Sequence, residues 1–335
     1  MINMLSVFLQ TPPAFSKHAA LKILKKKYNL TGTIKILYSD RDQNFLLITD
    51  SAKYILKIFN QCEKMETVDL QISAMNFIAD SSFPFEIPRP IGSAHKIIKH
   101  EIDYIVCLFG YVEGNFLYES ELLSNDYISM GNFMGNLSKV LEKFNHPGAS
   151  RNFEWDIQNL EILRERVQYI EQRNNRDIVN RVIDRYVKTV IPKINFLRKS
   201  VIHNDGNDRN IIINKNNRVK GIIDFGDMVH SFTALEAAVC MSYIGQNTKK
   251  PFDPMFDFLT GFRSKYTLHH DEICSILPMV CIRLCISLTM SAWRKKLFPE
   301  NHYLIVSEHS SWVLLKYLQT MNLESCIDSY LKNEN

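Results

Sequence analysis

The segment at residues 201–227, VIHNDGNDRNIIINKNNRVKGIIDFGD, constrains the fold of this chain more than any other. Two β-branched runs flank a polar stretch at residues 214–217, where asparagine tolerates left-handed backbone conformations, so the segment predicts a β-hairpin. Asn210 lies at the entry to the first strand and Asp224 at the exit from the second. Because both ends of a hairpin meet at one edge, we expect these two side chains to lie close together.

The rest of the chain divides into two regions of different pattern. Residues 33–111 contain short β-branched and aromatic runs broken by polar turns, with helical spacing only at residues 66–79. Later segments show apolar residues at helical spacing, at residues 159–173, 177–196, 234–244 and 273–293. We therefore predict an α+β fold of two lobes: a five-stranded N-terminal lobe with one helix (residues 1–112) and a helical lobe containing a short hairpin (residues 113–335).

The composition argues against certain binding partners and indicates the cellular compartment. Forty basic and 36 acidic side chains give a net charge of +4, which is too small to indicate nucleic acid or a membrane surface as a partner. Seven cysteines without a CxxC pair indicate core thiols in a reducing compartment. The apolar run at residues 277–293 is short and contains Arg283, which favours a buried helix over a membrane span. The N-terminal MINMLSVFLQ lacks the basic start of a secretory signal, so we expect a cytoplasmic protein.

The polar residues of the 201–227 segment suit phosphoryl transfer to an alcohol. This reaction needs a carboxylate that holds and deprotonates the acceptor hydroxyl, and oxygen ligands that fix Mg²⁺ on the phosphates. Asp205 fits the first role, and Asn210 and Asp224 fit the second, because Mg²⁺ takes hard oxygen ligands and few protein carboxylates. His203 is expected to support the loop by hydrogen bonds. Negative charge gathers around this turn, which is unfavourable without a cation; the residues are Asp205, Asp208, Asp224 and Asp227.

The pattern HxDxxxxN, followed by a hairpin and an Asp-Phe-Gly, resembles the aminoglycoside phosphotransferase/choline kinase superfamily, whose members are relatives of the protein kinases. The flanking segments NFEWDIQNL, RNNRDIVNRVIDRYV and GIIDFGDMVHS resemble its hydroxylysine kinase branch. The resemblance implies a protein-kinase-like bilobal fold. It also implies a kinase acting on a small amino-bearing alcohol, for which 5-hydroxylysine is the best match. Aminoglycoside, homoserine and choline kinases remain alternatives within the superfamily.

The resemblance also implies roles for individual residues. Asp205 is expected to be the catalytic base, and Asn210 and Asp224 the Mg²⁺ ligands, with ATP or GTP as donor. Lys57, in the strand YILKIF, matches the lysine that contacts the nucleotide phosphates. No GxGxxG loop is present; a polar loop, SDRDQN, takes its place. Further nucleotide contacts are expected from this loop and from the backbone of the hinge, at Ser39, Phe109, Tyr111 and Val112.

The helix residue that should pair with Lys57 is not a clear glutamate. The register of the helix points to Gln71, and Glu66 is the alternative. Acceptor contacts are expected in the helical lobe, from Asp208, Asp227, Glu236, Arg283 and Trp293. Three of these have structural alternatives: Glu236 as a brace for its helix, Arg283 as the partner of a buried carboxylate, and Trp293 as a core residue.

A rival function of another class is a nucleotide-binding pseudokinase that acts as a scaffold. The missing helix glutamate and the missing glycine-rich loop favour it, whereas the intact set of Asp205, Asn210 and Asp224 opposes it. The sequence leaves open the acceptor, the choice between ATP and GTP, and the oligomeric state.

Overall fold

The computed structural model describes residues 6–246, 248–301 and 308–333 of the 335-residue chain. The first five residues of the N-terminal segment considered above lie outside the described part. The chain forms two compact units. The first runs up to Ser82 and includes Glu86–Glu113; the second contains Phe83–Phe85 and the chain from Gly114 onward.

The first unit is built on a five-stranded antiparallel sheet with the strand order β1-β2-β3-β5-β4. Its strands are β1 (Thr33–Leu37), β2 (Gln43–Ile48), β3 (Lys53–Ile58), β4 (His95–Lys99) and β5 (Ile102–Gly110). The predicted helix is present as α2 (Met65–Ala79). The prediction of a single helix was incomplete, because α1 (Lys17–Tyr28) precedes the sheet and contributes Ala20 and Leu24 to its core.

The second unit is mainly helical, as the apolar periodicity predicted. Its helices are α3 (Ser124–Leu141), α4 (Leu160–Arg166), α5 (Arg173–Thr189), α6 (Thr233–Ile244), α7 (Phe252–Arg263), α8 (His270–Leu297), α9 (Glu308–Gln319) and α10 (Leu323–Asn333). The helix predicted at residues 177–196 ends earlier, at Thr189. A 3-10 segment, Ile191–Phe196, follows and contains Pro192, whose ring and missing N–H do not continue an α-helix.

Five short strands position the loops of the second unit. The predicted hairpin is confirmed as β8 (Ile211–Ile213) and β9 (Val219–Ile222), and Asn217 in its turn has the left-handed φ of 56°. A two-residue strand, β6 (Asn115–Phe116), pairs with β8. Two strands that the sequence did not reveal, β7 (Lys199–Ile202) and β10 (Val229–Phe232), pair antiparallel.

The long apolar helix α8 crosses the core of the second unit. Among the described residues it alone is long and apolar enough to span a membrane, and 83% of its most apolar window is buried within the chain. It packs against α5, α6 and α9, and it buries Cys281 and Cys285. This burial confirms the prediction of a core helix.

Candidate active site

The β7–β10 pair and the β8–β9 hairpin bring the motif residues together. Ile202, at the end of β7, pairs with Val229 at the start of β10. The chain between them, residues 203–228, therefore leaves the strand pair and returns to it at the same edge. At the hairpin, the N–H of Ile223 donates to the carbonyl of Asn210 at 2.9 Å. Asp224 directly follows Ile223, so the hairpin brings the backbones of Asn210 and Asp224 to the same edge.

The carboxylate of Asp205 is held by two amide side chains. Asn207 Nδ2 donates to Oδ1 at 2.8 Å, and Asn210 Nδ2 donates to Oδ2 at 2.6 Å. Asn210 Nδ2 also donates to the Asp205 carbonyl at 2.9 Å. Both hydrogen bonds of the Asn210 side chain are thus made by its nitrogen, and within the described chain its oxygen Oδ1 accepts none. This oxygen is available as a metal ligand.

Two residues of the site have left-handed backbone conformations. Asn204 has a φ of 63° and Asp224 a φ of 62°, and the Asp224 carboxylate accepts the N–H of Gly226 at 3.3 Å. Asparagine and aspartate adopt this region more readily than other non-glycine residues. The left-handed conformation of Asp224 turns the chain shortly after β9, where the Asp-Phe-Gly turn begins.

Buried negative charge dominates the electrostatics of this loop. Burial raises the pKa of Asp205 to about 8; the neighbouring Asp227 raises it further, and the guanidinium of Arg283 opposes the rise. Arg283 Nη2 lies 3.8 Å from Asp205 Oδ1. Burial lowers the pKa of His203 to about 4, so its imidazole is neutral at neutral pH. His203 is fully buried, packs edge-on against Phe225 and accepts the N–H of Asp205 on Nδ1 at 3.3 Å, which is a supporting position.

The donor set at the hairpin edge fits Mg²⁺. It consists of one amide oxygen, Asn210 Oδ1, and one carboxylate, Asp224, and Mg²⁺ usually takes one or two protein carboxylates and completes its shell with phosphates and water. No three His, Cys, Asp or Glu side chains converge as a metal site within the described residues. A cation at this edge would therefore depend on ligands from the nucleotide.

Glu236 and Arg283 contact the backbone of the loop that carries Asp205, and their contact with an acceptor stays a prediction. Glu236 is fully buried; its Oε2 accepts the N–H of His203 at 2.5 Å and its Oε1 that of Asn204 at 3.2 Å. Arg283, 1% exposed, donates to the carbonyls of Trp155 at 2.8 Å and Asn204 at 3.3 Å. Both side chains are buried, and each makes hydrogen bonds to the backbone of this loop.

The remaining acceptor candidates differ in exposure. Trp293 is a core residue, 3% exposed, with the guanidinium of Arg166 4.1 Å from its ring, which fits the structural alternative, and its acceptor contact stays a prediction. Asp227 is 6% exposed, and its carbonyl accepts Asn204 Nδ2 at 3.3 Å. Asp208 is half-buried, and burial raises the pKa of its carboxyl. Asp208 is therefore the candidate with the most room to meet a ligand.

Sequence reasoning missed Arg151. Its Nη2 donates to the carbonyl of Gly226 at 2.7 Å and its Nε to that of Met228 at 3.0 Å, so it fixes the backbone that follows Asp224. Nothing in the segment RNFEW distinguishes this arginine from a surface one. Only the tertiary structure brings it to carbonyls more than 70 positions away.

In the first unit, Lys57 has a carboxylate partner that the sequence did not predict. Lys57 lies in β3, 8% exposed, with Nζ 3.0 Å from Asp42 Oδ2. Gln71 is 2% exposed, and its Nε2 has no hydrogen-bond partner within the described part of the chain, while Glu66 is exposed. The carboxylate seen beside Lys57 comes from the loop between β1 and β2, and support of Lys57 by a residue of α2 stays a prediction.

The other predicted nucleotide contacts lie at the ends of this sheet. Ser39 is half-buried in the β1–β2 loop, and Phe109 is a buried residue of β5. The N–H of Tyr111 donates to the carbonyl of Lys53 at 3.2 Å, which removes it as a donor to a base. The N–H of Val112 makes no hydrogen bond among the described residues, and it is the hinge donor that remains.

Comparison with known proteins identifies relatives along nearly the whole chain. The model of the phosphotransferase enzyme family matches residues 33–265. Hydroxylysine kinase of Mus musculus is 28% identical, over 92% of this chain and 90% of that protein. Hydroxylysine kinase of Bos taurus is 29% identical, over 93% of this chain and 90% of that protein.

Solved structures of kinases share the fold. An amicoumacin kinase, in complex with AMP-PNP, Ca²⁺ and its ligand, aligns with a TM-score of 0.67 at 13% identity, covering 93% of this chain and 94% of that one. A microcompartment-associated aminopropanol kinase aligns with a TM-score of 0.64 at 16% identity, covering 95% of this chain and 98% of that one. At these identities the similarity establishes the kinase-like fold.

Proposed function

Because the chain belongs to the phosphotransferase enzyme family and is a small-molecule kinase, we propose that it transfers the γ-phosphoryl group of ATP or GTP to the hydroxyl of 5-hydroxylysine or a closely similar amino alcohol. The observation that carries the reaction type is the arrangement of Asp205, Asn210 and Asp224 on one loop and the adjoining hairpin. The choice of acceptor is supported by the hydroxylysine kinases, which match over nine-tenths of this chain.

In the proposed reaction, Asp205 is the base. The acceptor oxygen forms a bond to the γ-phosphorus, the bond from that phosphorus to the β–γ bridging oxygen breaks, and the hydroxyl proton passes to the Asp205 carboxylate. Asn207 and Asn210 hold the carboxylate by one hydrogen bond to each oxygen. The products are a phosphate ester and a nucleoside diphosphate.

The residues at the hairpin edge would hold the divalent ion. Asn210 Oδ1 and the Asp224 carboxylate are the proposed ligands of Mg²⁺, which supplies positive charge to the nucleotide phosphates when bound. Lys57 is the proposed phosphate contact of the first unit, and the Val112 N–H the proposed contact to the base. Asp208 is the proposed partner of the acceptor's ammonium group, since it is the half-buried carboxylate among the acceptor candidates.

An acceptor screen with identified products tests this proposal. The purified protein is incubated with Mg²⁺, radiolabelled ATP or GTP, and 5-hydroxylysine, homoserine, choline or an aminoglycoside. We expect 5-hydroxylysine to be phosphorylated, and the comparison of the two donors gives the purine preference. If another acceptor is labelled and 5-hydroxylysine is not, the acceptor assignment is wrong while the reaction type stands.

The Asp205→Asn variant tests the proposed base. General base catalysis contributes a factor of about 10²–10⁴, so we expect kcat to fall by roughly three orders of magnitude. The control is Asp177→Asn, which changes an exposed aspartate on α5 and should leave kcat unchanged. Turnover near that of the wild type in Asp205→Asn would refute the assignment.

A further inference from the structure

The carboxylate of Asp42 lies beside Lys57, the lysine that is proposed to contact the nucleotide phosphates. Asn44 lies directly opposite Lys57 on the neighbouring strand, and Asp42 is two residues earlier, in the loop that precedes β2. We propose that Asp42 is the positioning residue for Lys57, in place of a helix glutamate, and that it fixes the lysine for contact with the nucleotide phosphates. The inference rests on the proposed function, in which Lys57 binds these phosphates.

The geometry of the pair favours a fixed lysine. Asp42 Oδ2 lies 3.0 Å from Lys57 Nζ, while Asp42 Oδ1 accepts the N–H of Asn60 at 2.9 Å. Each carboxylate oxygen thus has its own partner, which sets the plane of the carboxylate. Both side chains are only 10% exposed, so the ion pair is little screened by solvent. An ammonium group has three donors, of which the contact with Asp42 uses one.

The loop that carries this carboxylate is braced by the N-terminal strap, residues 6–16. The side chain of Gln43 accepts the N–H of Phe15 at 2.7 Å and donates to the carbonyl of Phe15 at 2.9 Å. The guanidinium of Arg41 lies 5.1 Å from the ring centre of Phe8. From the other side, Asn60 Nδ2 donates to the carbonyl of Arg41 at 3.1 Å. The loop is therefore held by contacts on both sides of the aspartate.

Neither of the two α2 residues expected to support Lys57 has a carboxylate in contact with it among the described contacts. Gln71 is neutral, and its buried Nε2 lacks a partner in the described part of the chain, while Glu66 lies exposed in the first turn. A glutamine does not neutralise an ammonium group. The charge that balances Lys57 thus comes from Asp42, in the turn before the neighbouring strand. The missing helix glutamate is therefore no longer an argument for a pseudokinase.

The experiment measures the affinity for nucleotide and Mg²⁺ without an acceptor, using a fluorescent ATP or GTP analogue. We expect Asp42→Asn to weaken this binding by up to about 10²-fold, the size of effect that a misplaced group can have. Asp50→Asn changes an exposed aspartate at another turn of the same sheet and should leave the affinity unchanged. Lys57→Met should cause a loss at least as large as Asp42→Asn.

The double variant separates positioning from a structural role. If Asp42 acts through Lys57, then Asp42→Asn adds no further loss of affinity in the Lys57→Met background. Asp42→Glu keeps the charge, so this variant should fold and lose less nucleotide affinity than Asp42→Asn. That smaller loss should also disappear in the Lys57→Met background. Additive losses, or nucleotide affinity in Asp42→Asn equal to or tighter than in the wild type, would overturn the inference. Since this readout needs no acceptor, it decides the inference even where the acceptor screen fails.

Discussion

Glu236 shows how a single buried carboxylate can hold the loop that carries Asp205. Its two oxygens accept the backbone N–H groups of His203 and Asn204, the two residues before Asp205. Burial raises the pKa of Glu236 to about 7, although these two hydrogen bonds and the charge of Arg283 lower it. The charge of Glu236 therefore changes with pH near 7, where exposed carboxylates are fully ionised.

The effect of Glu236 on stability should depend on pH. The pKa in the folded chain, about 7, lies above the ordinary value of 4.5. The folded state therefore binds the proton more tightly than the unfolded state, and the stabilisation from the protonated carboxyl is complete below about pH 4.5 and lost as the pH rises through 7. Glu236→Gln is neutral at every pH. We expect the stability of the wild type, relative to this variant, to decrease from pH 5 to pH 8 in urea unfolding.

A matched control for this measurement is Glu161→Gln, since Glu161 is exposed in the first turn of α4. The stability of Glu161→Gln relative to the wild type should stay constant from pH 5 to pH 8. A difference between wild type and Glu236→Gln that is equally constant would show that Glu236 has the same pKa in the folded and unfolded chains.

At the scale of elements, the close crossing of α3 and α7 leaves no space for side chains larger than glycine. A Cβ on Gly131 would lie 2.0 Å from the carbonyl oxygen of Phe258, and a Cβ on Gly261 would lie 2.0 Å from that of Ile128. The two backbones therefore approach through glycines on both helices. Helix α3 also packs against β7 and β9, the strands that lead into the catalytic loop and out of the hairpin.

Gly131→Ala should destabilise the chain strongly. The added methyl meets a backbone carbonyl that has no freedom to rotate away, so the helices must separate, at a cost of about 3 kcal/mol. The free energy of unfolding in urea measures this change. Gly110→Ala is the control, because its Cβ would have no neighbour nearer than 3.7 Å and so fits without displacement. Equal stability of the two variants would show that the α3–α7 crossing adapts to a larger residue.

At the scale of the whole molecule, binding of nucleotide and metal should raise the thermal stability of the folded chain. A ligand present at a hundred times its Kd stabilises the folded state by about 2.7 kcal/mol. We expect ATP or GTP with Mg²⁺ to raise Tm more than nucleotide with EDTA. Asp224→Asn should remove the part of the Tm increase that depends on Mg²⁺, because it replaces the proposed carboxylate ligand. A Tm increase that depends on Mg²⁺ to the same extent in this variant would exclude Asp224 as a ligand.

Several features were predictable because they depend on neighbours in the sequence. The hairpin follows from two β-branched runs and an asparagine turn, and it carries Asn210 and Asp224 with it. The burial of α8 follows from its apolar composition. Helix α3 was harder to predict, because Gly131 and Gly135 lower its helix propensity and are explained only by the crossing with α7.

The sequence by itself determined the reaction class, the two-lobe α+β plan and the positions of Asp205, Asn210 and Asp224, since these lie in one continuous motif. Tertiary structure decided which charges support that motif. Glu236 is 33 positions from His203, and Arg283 is 79 positions from Asn204, so no local pattern connects them. Likewise, Asp42 meets Lys57 only because β2 and β3 pair in a particular register. Pairings between residues far apart in sequence are set by packing, and local sequence preferences do not encode them.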